Sequence, residues 1–379
     1  MHFKLSDQQR LLRDEIRRFA EEVVKPRASE IDESGLFPRE FFDQAAGLGL
    51  AGVTVPEEFG GAGMDLISYC LVIEEIARVC ATSAVILSVN NSLVCGPIQE
   101  FGNEEQKREF LKPLASGEKL GCFALTEPGA GSDAAALRTT SIRDGNDYVL
   151  NGNKVFITNG THADIALVFA KVDPQGGHKS ITAFLVPSDA EGYSHGIHQY
   201  MLGVNASGTT ELVFEDMRVP ASARLGEEGD GFRIAMATLD SGRIGIAAQA
   251  VGIAQGAFEE AMRYSQQREQ FGKPISSFQA IQFYLADMST EIDAARLLTW
   301  KAAWVKSLGK RFTLEAAQAK LYASEMAQRV TTKALQIHGG YGYTREYPVE
   351  RFFRDARITE IYEGTSEVQK MVIADWILR

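Results

Sequence analysis

One carboxylate, that of Glu363, lies where two helical patterns meet near the C-terminus. The residues before it have apolar side chains at helical spacing, and Ser366 and Gln369 have the spacing of a capping box before the next apolar run. Gly364 follows the glutamate directly, and a ligand can approach the backbone closely at a glycine. This position suits a carboxylate presented into a cavity for acid–base chemistry. An exposed glutamate at an ordinary helix end is the simpler interpretation of the local pattern alone.

Two stretches at predicted strand ends could bind a polar ring edge or a phosphate. Phe123–Asp133 leaves a strand for a turn rich in Pro, Gly and hydroxyl side chains, and such a turn exposes backbone N–H groups. Lys154–Gly160 places an aromatic and a hydroxyl at the end of a strand. An ordinary surface loop with polar side chains and no bound ligand explains the first stretch equally well.

Two further stretches have features of a phosphate site. Gln267–Pro274 contains Arg268, which could pair with a pyrophosphate, and Gln336–Gly342 is a glycine-rich turn that permits close backbone approach. Each also fits a helix cap, and His338 is better explained as a capping residue than as a catalytic one. The pair His195 and His198 lies in a predicted glycine-rich loop without further ligands nearby, so we expect no metal site.

The elements that must position these residues predict an α+β multidomain protein. We expect an N-terminal helical domain (1–117), a middle antiparallel β-barrel or sandwich domain (118–228) and a C-terminal four-helix bundle (229–379). No helix long enough for repeated crossovers interrupts the middle part, which favours antiparallel pairing. Within it, Asn151-Gly152 gives a strong hairpin signal and Asp144-Gly145 a weaker one.

The helical parts contain clear periodic runs. Ser6 and Gln9 form a capping box before an amphipathic run, and Asn103 and Gln106 form another. Ser83 to Phe101 is apolar nearly all round, which predicts a buried helix. Three long helices are expected in the C-terminal part, over 231–267, to about 308, and over 313–337.

Composition limits the classes of function. The 379 residues include 39 basic and 50 acidic side chains, and the net charge of −11 argues against nonspecific nucleic-acid binding. No apolar run approaches a membrane span, and the N-terminus lacks the features of a signal or transit peptide. The four cysteines, none in CxxC spacing, are expected to be buried thiols in a reducing compartment.

Taken together and in this order, these motifs resemble those of the acyl-CoA dehydrogenase family. The resemblance runs from Leu-Thr-Glu-Pro-x-x-Gly-Ser-Asp at residue 125 to Tyr-Glu-Gly-Thr-x-x-Val-Gln at residue 362. It implies the same three-part fold and a non-covalently bound FAD whose site is shared between subunits of a homotetramer, a dimer of dimers. The residues that it assigns to FAD are Phe123, Leu125, Thr126, Gly131, Ser132, Phe156, Ile157, Thr158, Arg268, Phe271, Gln279, Gln336, Ile337, Gly339, Gly340, Thr365 and Glu367.

The resemblance also implies a role for Glu363, which matches the catalytic base of the family. Such a base removes the α-proton of an acyl-CoA thioester, while the Glu363 N–H and a flavin hydroxyl polarise the thioester carbonyl. Some members place the base on the first bundle helix instead, where this chain has Gly242. Many relatives have tryptophan at Phe156 and often a basic residue at Asn205. The change to Phe156 is expected to shift the flavin environment.

Substrate residues follow from the same resemblance. Thr359 and Gln249 match the pair that shortens the acyl pocket in short-chain, butyryl-type enzymes, and no arginine for a second carboxylate is present over 83–89. A dicarboxyl substrate is therefore not expected. The full set of expected substrate residues is Ser132, Ser180, Leu239, Asp240, Arg243, Gln249, Thr359 and Gly364.

The expected reaction is FAD-dependent α,β-dehydrogenation of a short-chain acyl-CoA to the trans-2-enoyl-CoA. Electrons would pass to electron-transfer flavoprotein. A short-branched-chain substrate, an oxidase-like member that uses oxygen, and a non-catalytic acyl-CoA or flavin scaffold are the alternatives. The expected location is the bacterial cytoplasm, or the mitochondrial matrix for a processed eukaryotic chain.

Overall fold

The computed structural model describes residues 4–378, in which helices precede and follow a single large sheet. This order confirms the expected α+β architecture. The N-terminal helices are α1 (Asp7–Phe19), α2 (Ala28–Ser34), α3 (Arg39–Gly47), α4 (Leu66–Ala77), α5 (Ala81–Ser88), α6 (Gly96–Phe101), α7 (Glu104–Gln106) and α8 (Lys112–Ser116). Both predicted N-terminal capping boxes are present, at the starts of α1 and α7.

The predicted buried helix is a continuous run in which a π-helical segment, Val89–Cys95, joins α5 to α6. Contrary to the expectation from sequence, the run Ala81–Phe101 is long and apolar enough to cross a membrane. However, 94% of its apolar window is buried inside the protein, as is usual for a core helix. The four cysteines are also buried, as free thiols.

The middle part is one eight-stranded, mostly antiparallel sheet in the order β6-β7-β3-β2-β4-β5-β8, with β1 paired to β4. Side chains of β4 alternate between two cores: Leu167 and Phe169 pack towards helices, and Ala166 and Val168 towards the rest of the sheet. The strands are β1 (Gly121–Ala124), β2 (Thr140–Asp144), β3 (Asp147–Ile157), β4 (Ile165–Lys171), β5 (Ile181–Pro187), β6 (Tyr193–His198), β7 (Thr210–Pro220) and β8 (Arg224–Leu225).

The hairpin signal at Asn151-Gly152 is wrong. Strand β3 runs straight through both residues, and Gly152, at φ +145°, marks a register shift in the pairing with β7. A side chain there would lie 2.6 Å from the hydroxyl of Thr139, which explains the glycine. The turn instead lies at Gly145, at φ +65°, between β2 and β3, where the weaker signal stood.

The C-terminal part is the expected helical bundle. Its helices are α9 (Gly231–Gln267), α10 (Gln279–Ser307), α11 (Thr313–His338), α12 (Val349–Ile358) and α13 (Ser366–Ile377), and a two-stranded hairpin, β9 (Glu269–Gln270) and β10 (Lys273–Pro274), joins the first two. The bundle and the N-terminal helices share one core, and α4 packs closely on α9. A side chain at Gly252 would lie 2.3 Å from the Glu74 carbonyl oxygen.

Candidate active site

Glu363 lies in the turn between α12 and α13 and has a left-handed backbone with φ +52°. A non-glycine residue in this conformation costs on the order of 1–3 kcal/mol, so other contacts must hold it. Gln369 supplies two of them, because its Nε2 donates to the carbonyl oxygens of Glu363 (3.2 Å) and Gly364 (2.8 Å). The Ser366–Gln369 capping box is therefore wrong. Thr365 caps α13 instead, by accepting from the N–H of Val368.

The carboxylate of Glu363 fills the space that a side chain at Gly242 would occupy. A Cβ built on Gly242 lies 2.1 Å from Glu363 Oε2 and 2.7 Å from the Leu93 side chain. The surroundings are apolar, since Val85, Val89 and Leu93 form a small cluster onto which Phe123 and Tyr362 pack. Oε2 is buried and has no hydrogen-bond partner among residues 4–378.

Burial in this pocket raises the pKa of Glu363 to about 8, while the positive charges of Lys320 and Arg243 act to lower it. Arg243 is itself buried and donates through Nη1 to Asp240 Oδ1 at 2.6 Å. The N–H of Glu363 has no acceptor within the described residues. The site thus combines a poorly solvated base with a free N–H donor on the same residue.

This pKa predicts that Glu363→Gln stabilises the fold, increasingly as pH rises. The folded carboxyl ionises near pH 8 and the unfolded one near 4.5, so the stability that Glu363 provides at low pH is lost between these values. Glutamine does not ionise and avoids this loss. Urea unfolding of both proteins from pH 5 to pH 8 is expected to show an advantage for the variant that grows to about 4 kcal/mol at pH 8. A pH-independent difference would contradict the raised pKa.

The two expected pocket-shortening residues are both fully buried. Gln249 accepts a hydrogen bond from the hydroxyl of Tyr362 and donates one to the Ala81 carbonyl oxygen at 2.9 Å. Because Tyr362 directly precedes Glu363 in the chain, it connects Gln249 to the base. Thr359 turns its hydroxyl back onto its own helix. Thr359 is the C-cap of α12, which ends at Ile358, so Thr359 and Glu363 do not lie on one face of a common helix.

The other expected substrate residues are only partly brought together. Asp240 accepts from Thr313 at 2.6 Å as well as from Arg243, and the preceding residue, Leu239, packs against the sheet-side core. On the sheet side, Ser132 is exposed, whereas Ser180 is buried and donates to the Gly177 carbonyl oxygen at 2.9 Å.

The two strand-end stretches are tied together. Val155 N–H donates to the Thr126 carbonyl oxygen at 2.9 Å, and Lys154 pairs with Glu127 at 2.7 Å in a buried contact. The sequence alone does not predict this ion pair, because Glu127 and Lys154 are distant along the chain. The stretches carry Phe123, Leu125, Thr126, Gly131 and Ser132 on one side and Phe156, Ile157 and Thr158 on the other.

Phe156 and the residues that follow the C-terminal end of α9 are exposed to solvent. Phe156 has φ +59° and is 60% exposed, and Phe271, on the β9–β10 hairpin, is 92% exposed. A cleft of about 450 Å³ lies between Arg268 and the turn at Gly339 and Gly340, where side chains would meet nothing within 4 Å. The neighbouring expected residues Gln279 and Gln336 are exposed, while Ile337 lines the cleft.

These two groups of expected FAD residues are not brought together within one chain. Gly242 and Arg268 are separated by most of α9, on the order of 40 Å at the helical rise per residue. The Glu363 turn, with Thr365 and Glu367, lies with Gly242 at the other end. No group of three or more His, Cys, Asp or Glu residues in the described part could hold a metal ion. His195 lies on β6 rather than in a loop, and its Nε2 is hydrogen-bonded to the Gly160 carbonyl oxygen at 2.9 Å.

Comparison with known proteins covers nearly the whole chain. Sequence models of the N-terminal, middle and C-terminal domains of acyl-CoA dehydrogenase match residues 6–118, 122–217 and 229–378. A short-chain specific acyl-CoA dehydrogenase of Clostridium acetobutylicum is 52% identical over all of both chains. The mitochondrial short-chain specific enzyme of Bos taurus is 51% identical, over 99% of this chain and 91% of its own length.

Two solved structures are also closely similar. Butyryl-CoA dehydrogenase from Megasphaera elsdenii superposes with a TM-score of 0.98 at 50% identity, with both chains covered completely. A chain of the structure described as the electron transferring flavoprotein of Acidaminococcus fermentans gives a TM-score of 0.99 at 48% identity, again with full coverage of both chains.

Proposed function

The chain belongs to the acyl-CoA dehydrogenase family, and we propose that it oxidises short-chain acyl-CoA thioesters to trans-2-enoyl-CoA with Glu363 as the base. The observation that carries this proposal is the buried Glu363 carboxylate in the space left by Gly242. Relatives at about half sequence identity are named as short-chain enzymes, which supports the substrate class.

Glu363 performs the proton transfer. An α-proton beside a thioester is weakly acidic, and a carboxylate with a pKa near 8 is a stronger base than one in water. The free N–H of Glu363 is a donor for the thioester oxygen, where negative charge develops as the α-proton leaves. The apolar cluster around Leu93 excludes water from the base.

The residues present fit FAD, which when bound supplies the acceptor for the hydride that leaves the β-carbon. Exposed Phe156 offers an aromatic face, Gly339 and Gly340 leave room for close backbone approach, and Arg268 borders the cleft as a phosphate partner. Non-covalent binding is proposed through Phe123, Leu125, Thr126, Gly131, Ser132, Phe156, Ile157, Thr158, Thr365 and Glu367 at one end and Arg268, Phe271, Gln279, Gln336, Ile337, Gly339 and Gly340 at the other.

The separation of these two groups along α9 supports a site shared between chains. One end of FAD would lie against the first group of one subunit, and the other end would contact Arg268 and Phe271 of a second copy. Phe271 is 92% exposed in the single chain, as expected for a residue that contacts another molecule. A homotetramer, arranged as a dimer of dimers, is the assembly we propose.

Substrate binding is proposed for Asp240 and Arg243 at the CoA portion, together with Ser132, Ser180, Leu239 and Gly364. Gln249 and Thr359 would close the acyl end of the pocket, and the hydrogen bond from Tyr362 to Gln249 supports this, because Tyr362 precedes the base. The proposed compartment is the bacterial cytoplasm or the mitochondrial matrix, since the relatives include bacterial and mitochondrial proteins.

Gln249→Ala is expected to shift the preference towards longer acyl chains. Removing this buried amide leaves space beside Tyr362 that an extra pair of methylene groups can fill. The ratio of kcat/KM for hexanoyl-CoA to that for butyryl-CoA should rise about tenfold. Gln266→Ala, on the exposed face of the same helix, should leave the ratio unchanged. An unchanged ratio in Gln249→Ala would remove this residue from the pocket.

Anaerobic mixing of the FAD-loaded protein with butyryl-CoA tests the proposed function. Bleaching of the flavin, slow reoxidation by air and fast turnover with electron-transfer flavoprotein are expected. Rapid peroxide formation in air would identify an oxidase instead. An absence of bleaching with a panel of acyl-CoAs of increasing length and branching would indicate a non-catalytic binding protein.

A further inference from the structure

A buried lysine on α11 faces the turn that carries Glu363. Lys320 is fully buried, and its Nζ donates to the Gly364 carbonyl oxygen at 2.7 Å. Within residues 4–378 its ammonium makes no salt bridge within 4.0 Å. Lysine is almost never fully buried without an ion pair, because its charge loses hydration there. Because this burial is unfavourable for a lysine, we infer that Lys320 has a function at this site.

The Gly364 carbonyl is the point where two buried side chains converge. Lys320 reaches it from α11, and Gln369 reaches it from α13 at 2.8 Å. The carbonyl they hold lies in the peptide that joins Gly364, at φ +90°, to Thr365, and Gln369 also holds the carbonyl oxygen of the left-handed Glu363 at 3.2 Å. Rotation of the backbone at Gly364 would move the Glu363 carboxylate away from Gly242, where it now lies.

We propose that Lys320 is a positioning residue that anchors the Gly364 carbonyl and so keeps the Glu363 carboxylate over the Gly242 backbone for proton abstraction. This inference rests on the proposed function of Glu363 as the base. It adds a residue outside the substrate and flavin sets, because Lys320 acts only through the turn.

In addition to its hydrogen bond to the Gly364 carbonyl, Lys320 acts on Glu363 through its charge. Its positive charge lowers the pKa of Glu363 against the effect of burial, and the negative charge of Glu363 in turn favours the protonated form of Lys320, whose pKa burial lowers to about 7. Other ionisable groups interact electrostatically with Lys320 or Glu363. They are Arg243 on α9, Glu367 on α13, Tyr69 on α4 and Tyr362 beside the base.

Lys320→Met in the FAD-loaded protein tests the inference. The rate of flavin bleaching by butyryl-CoA should fall at least about tenfold, and the midpoint of its pH profile should move up by about one pH unit. Lys333→Met is the matched control, because Lys333 lies on the same helix in a surface pair with Asp287. It should leave both quantities unchanged.

A second readout does not depend on turnover. Isotope-edited infrared spectra of the substrate-free, FAD-loaded protein, with Glu363→Gln as the reference, report the protonated carboxyl of Glu363. Its band should persist to higher pH in Lys320→Met. Lys320→Gln retains a donor without the charge, so it should show the same pH shift with a smaller loss of rate.

An unchanged pH midpoint and an unchanged infrared titration in a folded Lys320→Met or Lys320→Gln would overturn the inference. If Lys320→Met does not fold, Lys320→Gln decides the matter by the same two measurements. Failure of the wild-type protein to bleach with any acyl-CoA would instead reject the proposed function, so the two failures are distinguishable.

Discussion

Replacing Glu363 with glutamine is expected to slow flavin bleaching by butyryl-CoA by at least about 10³-fold. Glutamine has nearly the same shape but cannot accept the α-proton. Among the described residues, the charged groups that act on Glu363 are Lys320 and Arg243, which are cations, and the alternative position for a base is Gly242. Stopped-flow absorbance at saturating butyryl-CoA, under anaerobic conditions, measures the rate directly.

Glu360→Gln is the matched control for this variant. Glu360 lies three residues before the base, is partly buried and forms an ion pair with the exposed Arg357. The Glu360→Gln protein should bleach at nearly the wild-type rate, because Glu360 is not among the groups that act on the Glu363 carboxylate. Both variants should bind FAD as the wild type does, which the flavin absorbance reports. Full activity in Glu363→Gln would show that another group removes the proton.

Replacing Gly242 with alanine is expected to lower the bleaching rate by about 10²-fold. The new methyl group would lie 2.1 Å from Glu363 Oε2, which no carboxylate can tolerate without moving, and 2.7 Å from Leu93. Because the turn holds Glu363 in one conformation, displacement of its carboxylate misaligns the base. The kinetics should show a fall in kcat larger than any rise in KM.

Gly47→Ala separates this steric effect from the general effect of adding a side chain to a helix. Gly47 is in α3, and a Cβ there meets nothing within 4 Å. Alanine at such a site normally stabilises a helix by about 0.5–1 kcal/mol, so this control should keep full activity. Equal activity of Gly242→Ala and wild type would mean that the carboxylate does not need the space beside Gly242.

The long helices could be predicted from the sequence because their signals are local. The run over 231–267 has the 3.6-residue period and a length that leave few alternatives, and α9 spans Gly231–Gln267. The hairpin at Asn151-Gly152 failed because its cause is not local. Only the approach of Thr139 shows that Gly152 serves a bulge rather than a turn.

The residues of the candidate site also differ in whether a local sequence signal marks them. Glu363 could be found because a helix break and a following glycine mark it, and because the order of the motifs resembles that of a known family. Lys320 could not be found, since a lysine within an alanine-rich helical run carries no local signal of burial. Likewise, only folding brings Glu127 and Lys154 together.

The most direct test of the central claim is a single anaerobic turnover with butyryl-CoA and with butyryl-CoA deuterated at the α-carbon. If Glu363 removes the α-proton in the step that transfers the hydride, each flavin that bleaches yields one trans-2-butenoyl-CoA, and α-deuteration slows the bleaching several-fold. Absence of bleaching at any concentration of butyryl-CoA, or bleaching without the enoyl product, would contradict the claim.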